Sequence, residues 1–463
     1  MNWNGTHSNW TFEINGRYYI FDIAQMIYFE LNERQYKYLK NPEKNLIMPD
    51  DIALFSQLKA NDLFFTYKEP AKQAASRTVT FSIPVKHGCN LSCRYCFTKY
   101  APSATDMPPL TSVLISEAAK FIKNNFPAFD YRFEETSGGE PLIDKEKLFL
   151  LIRNLREEFL DKNLSIWICT NGTLLTVSDI QNFTKYNVNY GISIDGNEVQ
   201  NSLRLYPNNT SSYCRVTNNI KAVLNSPDIP RKMKEIWGLS VISTKNFNLE
   251  TLLLHLKSLG FKTIQMRIVR GKSSDEWVFT KENVELLLTE IANLFFRLFQ
   301  DIESNEYQLL SLLLNDSDFI GKILIRLLLK EPATSRCDAG STRLAITTSG
   351  DIYPCESFVG LNEYCLGSIY RGWNAKANIF ETTAVNAQKK CHACEIRFVC
   401  GGDCFHNSLL KNGVPDSHDE VICQINKYIV KLSIDFLWKL KAQNSALYQR
   451  LKRFARIRIH KQR

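Results

Sequence analysis

KHGCNLSCRYCFTKY, residues 86–100, follows directly on the apolar run Thr80–Val85 and sets Cys89, Cys93 and Cys96 in a CxxxCxxC spacing. Three thiolates within eight residues can wrap one [4Fe–4S] cubane, which takes four ligands. The fourth iron is then open, and an open metal position is where a substrate or cofactor binds. Two other readings of these cysteines exist. Structural zinc wants four ligands, and the nearest fourth candidate, His87, sits poorly for a tetrahedral site. Unliganded thiols are the other.

Working outward, 463 residues are too many for one small core and suggest two to four domains. A hydrophobic share of 44% with 23% charged residues is ordinary for a soluble globular chain. MNWNGTHSNW has neither the basic start nor the apolar run of a signal peptide. The most apolar later stretch, Tyr307 to Lys330, is broken by Asn315, Asp316, Asp318, Lys322 and Arg326, so a buried amphipathic helix pair is expected and no membrane span. Seven of the net +9 charges lie between Arg450 and Arg463, leaving +2 for the rest. The basic excess reads as a solvated terminal helix, and nucleic acid is not an expected partner. Thirteen cysteines without an export signal point to a reducing, cytoplasmic setting and to metal or catalysis. Only Cys169 and Cys214 lie outside the clusters described here, and both are expected to be small core-filling residues.

Asn15-Gly16 between two β-rich runs, Trp10–Ile14 and Arg17–Ile23, is a strong hairpin signal. A third run, Met26–Leu31, leads to Asn32 and a capping box with Gln35 that opens a helix. From Thr78 the rhythm becomes strand–helix–strand. Strands are predicted at Thr80–Val85, Tyr131–Glu135, Ser165–Thr170, Asn187–Ile194, Glu235–Ile242 and Lys262–Val269, with amphipathic helices between them. Six such units imply an α/β fold, a parallel sheet wholly or partly closed into a (β/α)6 barrel, with its site at the strand C-termini. Helices are predicted over 281–334, a cysteine-dense short-strand region over 335–425, and one basic terminal helix from 426 to 463. The expected domains are thus 1–76, 77–280, 281–334, 335–425 and 426–463.

Each later strand ends in a motif. TSGGEPL places Gly138, Gly139 and Glu140 after the second strand, where glycine lets backbone approach a ligand and the carboxylate can accept from an ammonium. SIWICTNGTLL closes the third strand, and YGISIDG the fourth, with Arg204 beyond. The set resembles the radical S-adenosylmethionine (SAM) superfamily, whose loop is CxxxCxΦC with Φ aromatic, here Tyr95. That resemblance implies a partial barrel in which the SAM amine and carboxylate chelate the open iron and a 5′-deoxyadenosyl radical is released. It further implies that Gly138, Gly139 and Glu140 hold the methionyl amine, and that Ser193 and Arg204 contact the ribose and carboxylate. A surface ion pair is the other reading of Arg204, and Asp195 is expected to cap a loop.

Cys337 and Cys355, then Cys391-x2-Cys394-x5-Cys400-x3-Cys404 and Cys423, resemble the SPASM domain, which binds two auxiliary [4Fe–4S] clusters. By that resemblance Cys391, Cys394, Cys400 and Cys423 ligate one cluster, and Cys337, Cys355 and Cys404 hold the other. Sulfatase-maturating relatives fill the last ligand place with a cysteine soon after the first, but residues 338–344 contain none. Either Cys365 takes it or the site is open. Those relatives carry an aspartate as proposed base after the second cysteine, where this chain has Glu356 in YPCES. Beside an anionic cluster such a carboxylate should have a raised pKa and accept a substrate proton; a solvated loop acid is the alternative.

FEINGRYYIFDIAQMIYFELNERQYKYL resembles the small winged-helix peptide-recognition element of ribosomal-peptide maturases, which binds a leader peptide by adding a strand; a structural cap is the alternative. The resemblances together imply a maturase of a precursor peptide or protein. It would use SAM, three [4Fe–4S] clusters and an external one-electron reductant, forming a cross-link or oxidising a side chain. A formylglycine-forming sulfatase maturase and an iron–sulfur electron carrier are the alternatives.

Overall fold

The computed structural model describes residues 9–41, 44–45, 48–60, 78–100, 107–136, 138–375, 385, 388 and 390–462. Two sheets organise them. The smaller is the meander β1 (Asn9–Ile14), β2 (Arg17–Asp22) and β3 (Ile27–Leu31). Its first turn puts Asn15 and Gly16 at φ of 52° and 69°, the left-handed region these two residues tolerate best. The predicted capping box is present: Gln35 N donates to Asn32 Oδ1, and Asn32 N to Gln35 Oε1, both at 2.9 Å, opening the helix Glu33–Lys40.

The larger sheet carries six parallel strands in chain order: β4 (Thr78–Ser82), β5 (Asp130–Glu135), β6 (Leu164–Thr170), β7 (Val188–Ser193), β8 (Trp237–Ile242) and β9 (Thr263–Ile268). β9 is one edge and does not return to β4, so the barrel is partial. The other edge continues through β10 (Arg343–Ile346), β11 (Asp351–Tyr353), β12 (Gly367–Ser368) and β13 (Gly372–Trp373). β10 pairs parallel with β4, Arg343 opposite Thr80. The cysteine-rich region expected to stand apart is therefore hydrogen-bonded into the barrel sheet, where it covers an edge of β4 that would leave backbone groups unpaired.

Side-chain alternation decides what faces the interior. β6 alternates strictly, Ile166 and Ile168 buried beneath the outer helices, Trp167 and Cys169 only partly buried on the other face. In register with them, that concave face carries Arg132 and Glu134 of β5, Trp237 of β8, Gln265 and Arg267 of β9, and Arg343 of β10. Cys169 is thus a lining residue and no core filler. Cys214, on the helix Tyr213–Asn225, is exposed, which also overturns its core reading.

The apolar stretch folds as the helices Gln308–Leu313 and Gly321–Leu329, as expected. The terminal helix is two: Glu420–Gln443 ends where Asn444 leaves helical geometry, and its side chain accepts from Leu447 N at 2.9 Å to start Ser445–Gln462. Leu447, Tyr448, Leu451 and Ala455 form the buried stripe of this basic helix. Among the described residues no helix is long and apolar enough to cross a membrane.

Candidate functional site

The strand-end motifs meet around one loop. On one side, Glu140 N donates to Gly88 O at 3.0 Å and Gly88 N to Gly138 O at 3.4 Å. A Cβ on Gly139 would run into the carbonyl oxygens of Gly88 and Lys86. Glycine is needed there so that the cysteine loop can lie against the β5 end, a different close approach from the ligand contact expected. On the other side Ser92 N donates to Leu205 O at 2.7 Å and Arg94 N to Leu203 O at 3.0 Å. Beneath, Asn90 Nδ2 donates to Thr173 Oγ1 at 2.8 Å and Asn171 Nδ2 to Asn90 Oδ1 at 2.9 Å. Cys89, Cys93 and Cys96 are presented on this strapped loop. Leu91 N (3.4 Å) and Asn171 Nδ2 (3.6 Å) point at Cys89 Sγ.

Glu140 is buried, and its carboxylate already accepts from Thr170 Oγ1 and Asn171 N, both at 2.6 Å, and from Leu142 N at 3.1 Å. Those bonds tie β5 to the TNG turn after β6, so positioning this turn is a task that sequence reasoning did not assign to Glu140. Arg204 is no surface residue: it is buried, and Nη1 donates to Tyr95 Oη at 2.7 Å. Tyr95 in turn donates to Asp195 Oδ2 at 2.5 Å, while Asp195 Oδ1 accepts from Val241 N. Asp195, expected only to cap a loop, orients the aromatic of the cysteine motif. Its signal was the SIDG turn itself. Arg204 Nε is a buried donor with no partner among the described residues, which suits an anionic group arriving there. Ser193 is the last residue of β7, partly exposed at the strand C-terminus.

Three sets of thiols fit iron–sulfur clusters to different degrees. Cys391, Cys394, Cys400 and Cys423 line a single recessed cavity with Asp403, Arg397 and Asn426. Asn426 Nδ2 donates to Cys400 Sγ at 3.4 Å. Burial, with the neighbouring thiols, pushes Cys391 up to about 12 and raises Cys423. Burial likewise lifts Cys93, to about 11, and Cys337 and Cys355. Thiols in such places give up their protons to a bound cation and not to water. Cys337, Cys355 and Cys404 form the third set, gathered about the Arg270 guanidinium, whose pKa is raised by all three and by Glu356. Cys365 is engaged elsewhere, donating to Gly367 O at 3.3 Å. Among the described residues no three His, Cys, Asp or Glu groups converge on one ion; a cubane, with its ligands on separate irons, holds thiolates farther apart than a single ion does.

Glu356 begins a short 3₁₀ turn after Cys355. Its Oε2 faces Arg343 Nη1 at 3.5 Å, and Arg343 Nη2 holds Glu134 at 2.8 Å. The carboxylate expected beside the cluster is half of an ion pair that reaches across to β5. The floor of the concave face is equally specific. Trp167 and Trp237 meet edge-on with centroids 5.1 Å apart, and the Arg132 guanidinium lies 5.0 Å from the Trp167 ring centre. The Arg343, Arg132 and Arg267 guanidiniums overcome burial and hold Glu134 down at about 2. Burial and the neighbouring Arg270 and Arg343 lower Arg267, although the residue is solvent-exposed. Sequence reading passed over this lining; the period-two alternation in β5 and β6 was the available signal.

Residues 83–229 match the radical SAM superfamily. The cysteine-type anaerobic sulfatase-maturating enzyme of Clostridium perfringens is 22% identical over 346 residues, 69% of this chain and 87% of that protein. The solved structure of native anSMEcpe with bound AdoMet and Cp18Cys peptide superposes with a TM-score of 0.61 at 19% identity, covering 78% of this chain and 98% of that one. Streptococcus suis SuiB bound to its precursor peptide SuiA gives 0.50 at 14% identity, over 90% and 99%. At these identities the structural likeness is one of fold. The matched segment is a radical SAM domain, a domain that implies SAM and a [4Fe–4S] cluster.

Proposed function

We propose that this radical SAM enzyme, its matched domain spanning residues 83–229, modifies a gene-encoded peptide or protein, forming a cross-link or oxidising a side chain. The observation that carries the reading is the convergence of the strapped cysteine loop, the Glu140-held TNG turn and buried Arg204 above an open concave face. The anSMEcpe and SuiB structures, each solved with a peptide bound, support a peptide as the substrate.

In this reading Cys89, Cys93 and Cys96 hold the first cluster, and Gly138, Gly139, Glu140, Ser193 and Arg204 receive SAM. Bound and reduced, that pair supplies a 5′-deoxyadenosyl radical able to abstract hydrogen from a substrate. Tyr95, fixed by Asp195, orients Arg204 toward the anionic end of SAM. Cys391, Cys394, Cys400 and Cys423 hold one auxiliary cluster; Cys337, Cys355 and Cys404 hold the other. Trp167, Trp237 and the arginines of the concave face grip the substrate and keep bulk water from it. Glu356, positioned by Arg343, accepts the substrate proton. The hairpin module over 1–76 captures the peptide, and an external one-electron reductant completes the set. Formylglycine formation is the second reading, resting on the 22% identical Clostridium relative.

The test is anaerobic reconstitution followed by an iron count and a SAM-cleavage assay under a strong reductant. About twelve irons per chain are expected from ligand counting. Replacing Cys89, Cys93 and Cys96 together by Ala should leave about eight and abolish 5′-deoxyadenosine formation. 5′-Deoxyadenosine from that triple variant would refute the assignment of the first cluster. A mass change in the peptide encoded beside the gene identifies the substrate.

A further inference from the structure

Three thiols can occupy only three irons of a cubane, and the question at Cys337, Cys355 and Cys404 is what meets the fourth. Cys365 is engaged with Gly367 O, and Glu356 faces Arg343. Arg270, whose Nη1 donates to Ser357 Oγ at 3.1 Å, is a cation with no lone pair to offer. One group remains. His406 is fully buried, and neither Nδ1 nor Nε2 has a hydrogen-bond partner among the described residues. An imidazole removed from water with both nitrogens idle is costly, and such a group calls for a missing partner.

Its place in the fold says which partner. Cys404 is the N-cap residue of the helix Phe405–Asn412, and His406 lies in that helix's first turn. Its ring stands edge-on to Phe358, three residues after Cys355, with centroids 5.6 Å apart, and edge-on to Phe97, the residue after Cys96, at 6.5 Å. The Arg270 guanidinium that gathers the three thiols also acts on His406. A neutral imidazole has one nitrogen with a free lone pair, a good ligand for iron.

We propose that His406 is the fourth ligand of the cluster held by Cys337, Cys355 and Cys404. This rests on the cluster assignment made under the proposed function. It makes the site a Cys₃His cluster, closed to substrate. It also makes the cluster one charge less negative than a four-thiolate one, which raises its potential, as histidine does in Rieske centres.

The experiment is pulsed EPR on the full chain, reconstituted and reduced, with histidine labelled by ¹⁵N. The variant with Cys89, Cys93 and Cys96 replaced by Ala removes the first cluster's signal. A directly bound histidine nitrogen should couple to a cluster in the otherwise unmutated auxiliary region, a measurement that does not depend on any change at His406 folding correctly. His406→Cys should keep the iron count, abolish the nitrogen coupling and lower the potential. Absence of coupling with about eight irons present, or coupling that survives His406→Cys, overturns the ligand assignment alone. An iron count unchanged when Cys337, Cys355 and Cys404 are also replaced would sink the cluster assignment and this proposal with it.

Discussion

At the scale of single residues, three side chains lead to sharp expectations. Arg204 bonds the hydroxyl of Tyr95 and keeps a free donor, so Arg204→Gln should weaken SAM binding roughly 10- to 100-fold, the usual cost of a charged hydrogen bond. Equilibrium binding of SAM to the reconstituted protein reads this directly, and unchanged affinity would return Arg204 to a structural role. Glu356→Gln is nearly isosteric and leaves every thiol in place. If Glu356 is the base, peptide modification should fall about 10²–10⁴-fold while 5′-deoxyadenosine still forms. Coupling at the wild-type ratio would demote it to a partner of Arg343. Glu135 offers a pH test. Buried with Oε2 unpartnered among the described residues, its carboxyl is pushed up to about 8 by desolvation. The folded state therefore keeps a proton that the unfolded chain releases near its ordinary value of about 4.3. Its contribution is full below that value and is lost as pH rises through 8. Thermal stability should decline between pH 5 and 8 on the order of a few kcal/mol, and Glu135→Gln should flatten the decline. The carboxyl's identity was readable in the sequence, but its isolation was not, because desolvation depends on residues far away in the chain.

Elements carry the next set of consequences. The first cysteine loop owes its shape to backbone contact with the GGE segment, so Gly139→Ala forces a methyl group against the Gly88 and Lys86 carbonyls. Loss of about four irons is expected, with the auxiliary absorbance retained; full iron content would show that the loop gives way. The hairpin module docks through β2, where Tyr19 donates to Asp435 Oδ1 at 2.8 Å, and through Asn15, whose Nδ2 meets Asp435 Oδ2 at 3.0 Å. Trp438 donates to Glu30 at 2.7 Å from the same helix. Tyr19→Phe should lower stability by about 1.5–3 kcal/mol, seen as a drop in Tm. The hairpin, capping box and barrel strands were legible because they are set by local turn chemistry and by periodicity. Asn15 shows the limit. Its turn was plain from the Asn-Gly pair, yet its bond to a helix 420 residues later had no local sign.

For the whole molecule, the arrangement links the hairpin module to the cysteine-rich region. The helix Glu420–Gln443 carries Cys423 in its first turn and ends its docking face with Asp435 and Trp438 beneath the hairpin sheet. Removal of residues 1–70 should spare SAM cleavage without substrate but weaken peptide modification, and equal loss of both would mark the module as structural. The sequence by itself determined the strand–helix rhythm, the strand-end motifs and the division of ten cysteines into three sets. Turn residues, hydrophobic period and ligand spacing are local, so they survive in one dimension. Only the tertiary structure decided that β10 extends the barrel sheet, that Glu140 holds the TNG turn and that Glu356 faces an arginine. The same is true of the burial of His406, whose ring nitrogens have no hydrogen-bond partner among the described residues. Each of these depends on which distant strand or loop shields a group from water, and burial is a property of the packed chain, not of any segment of it.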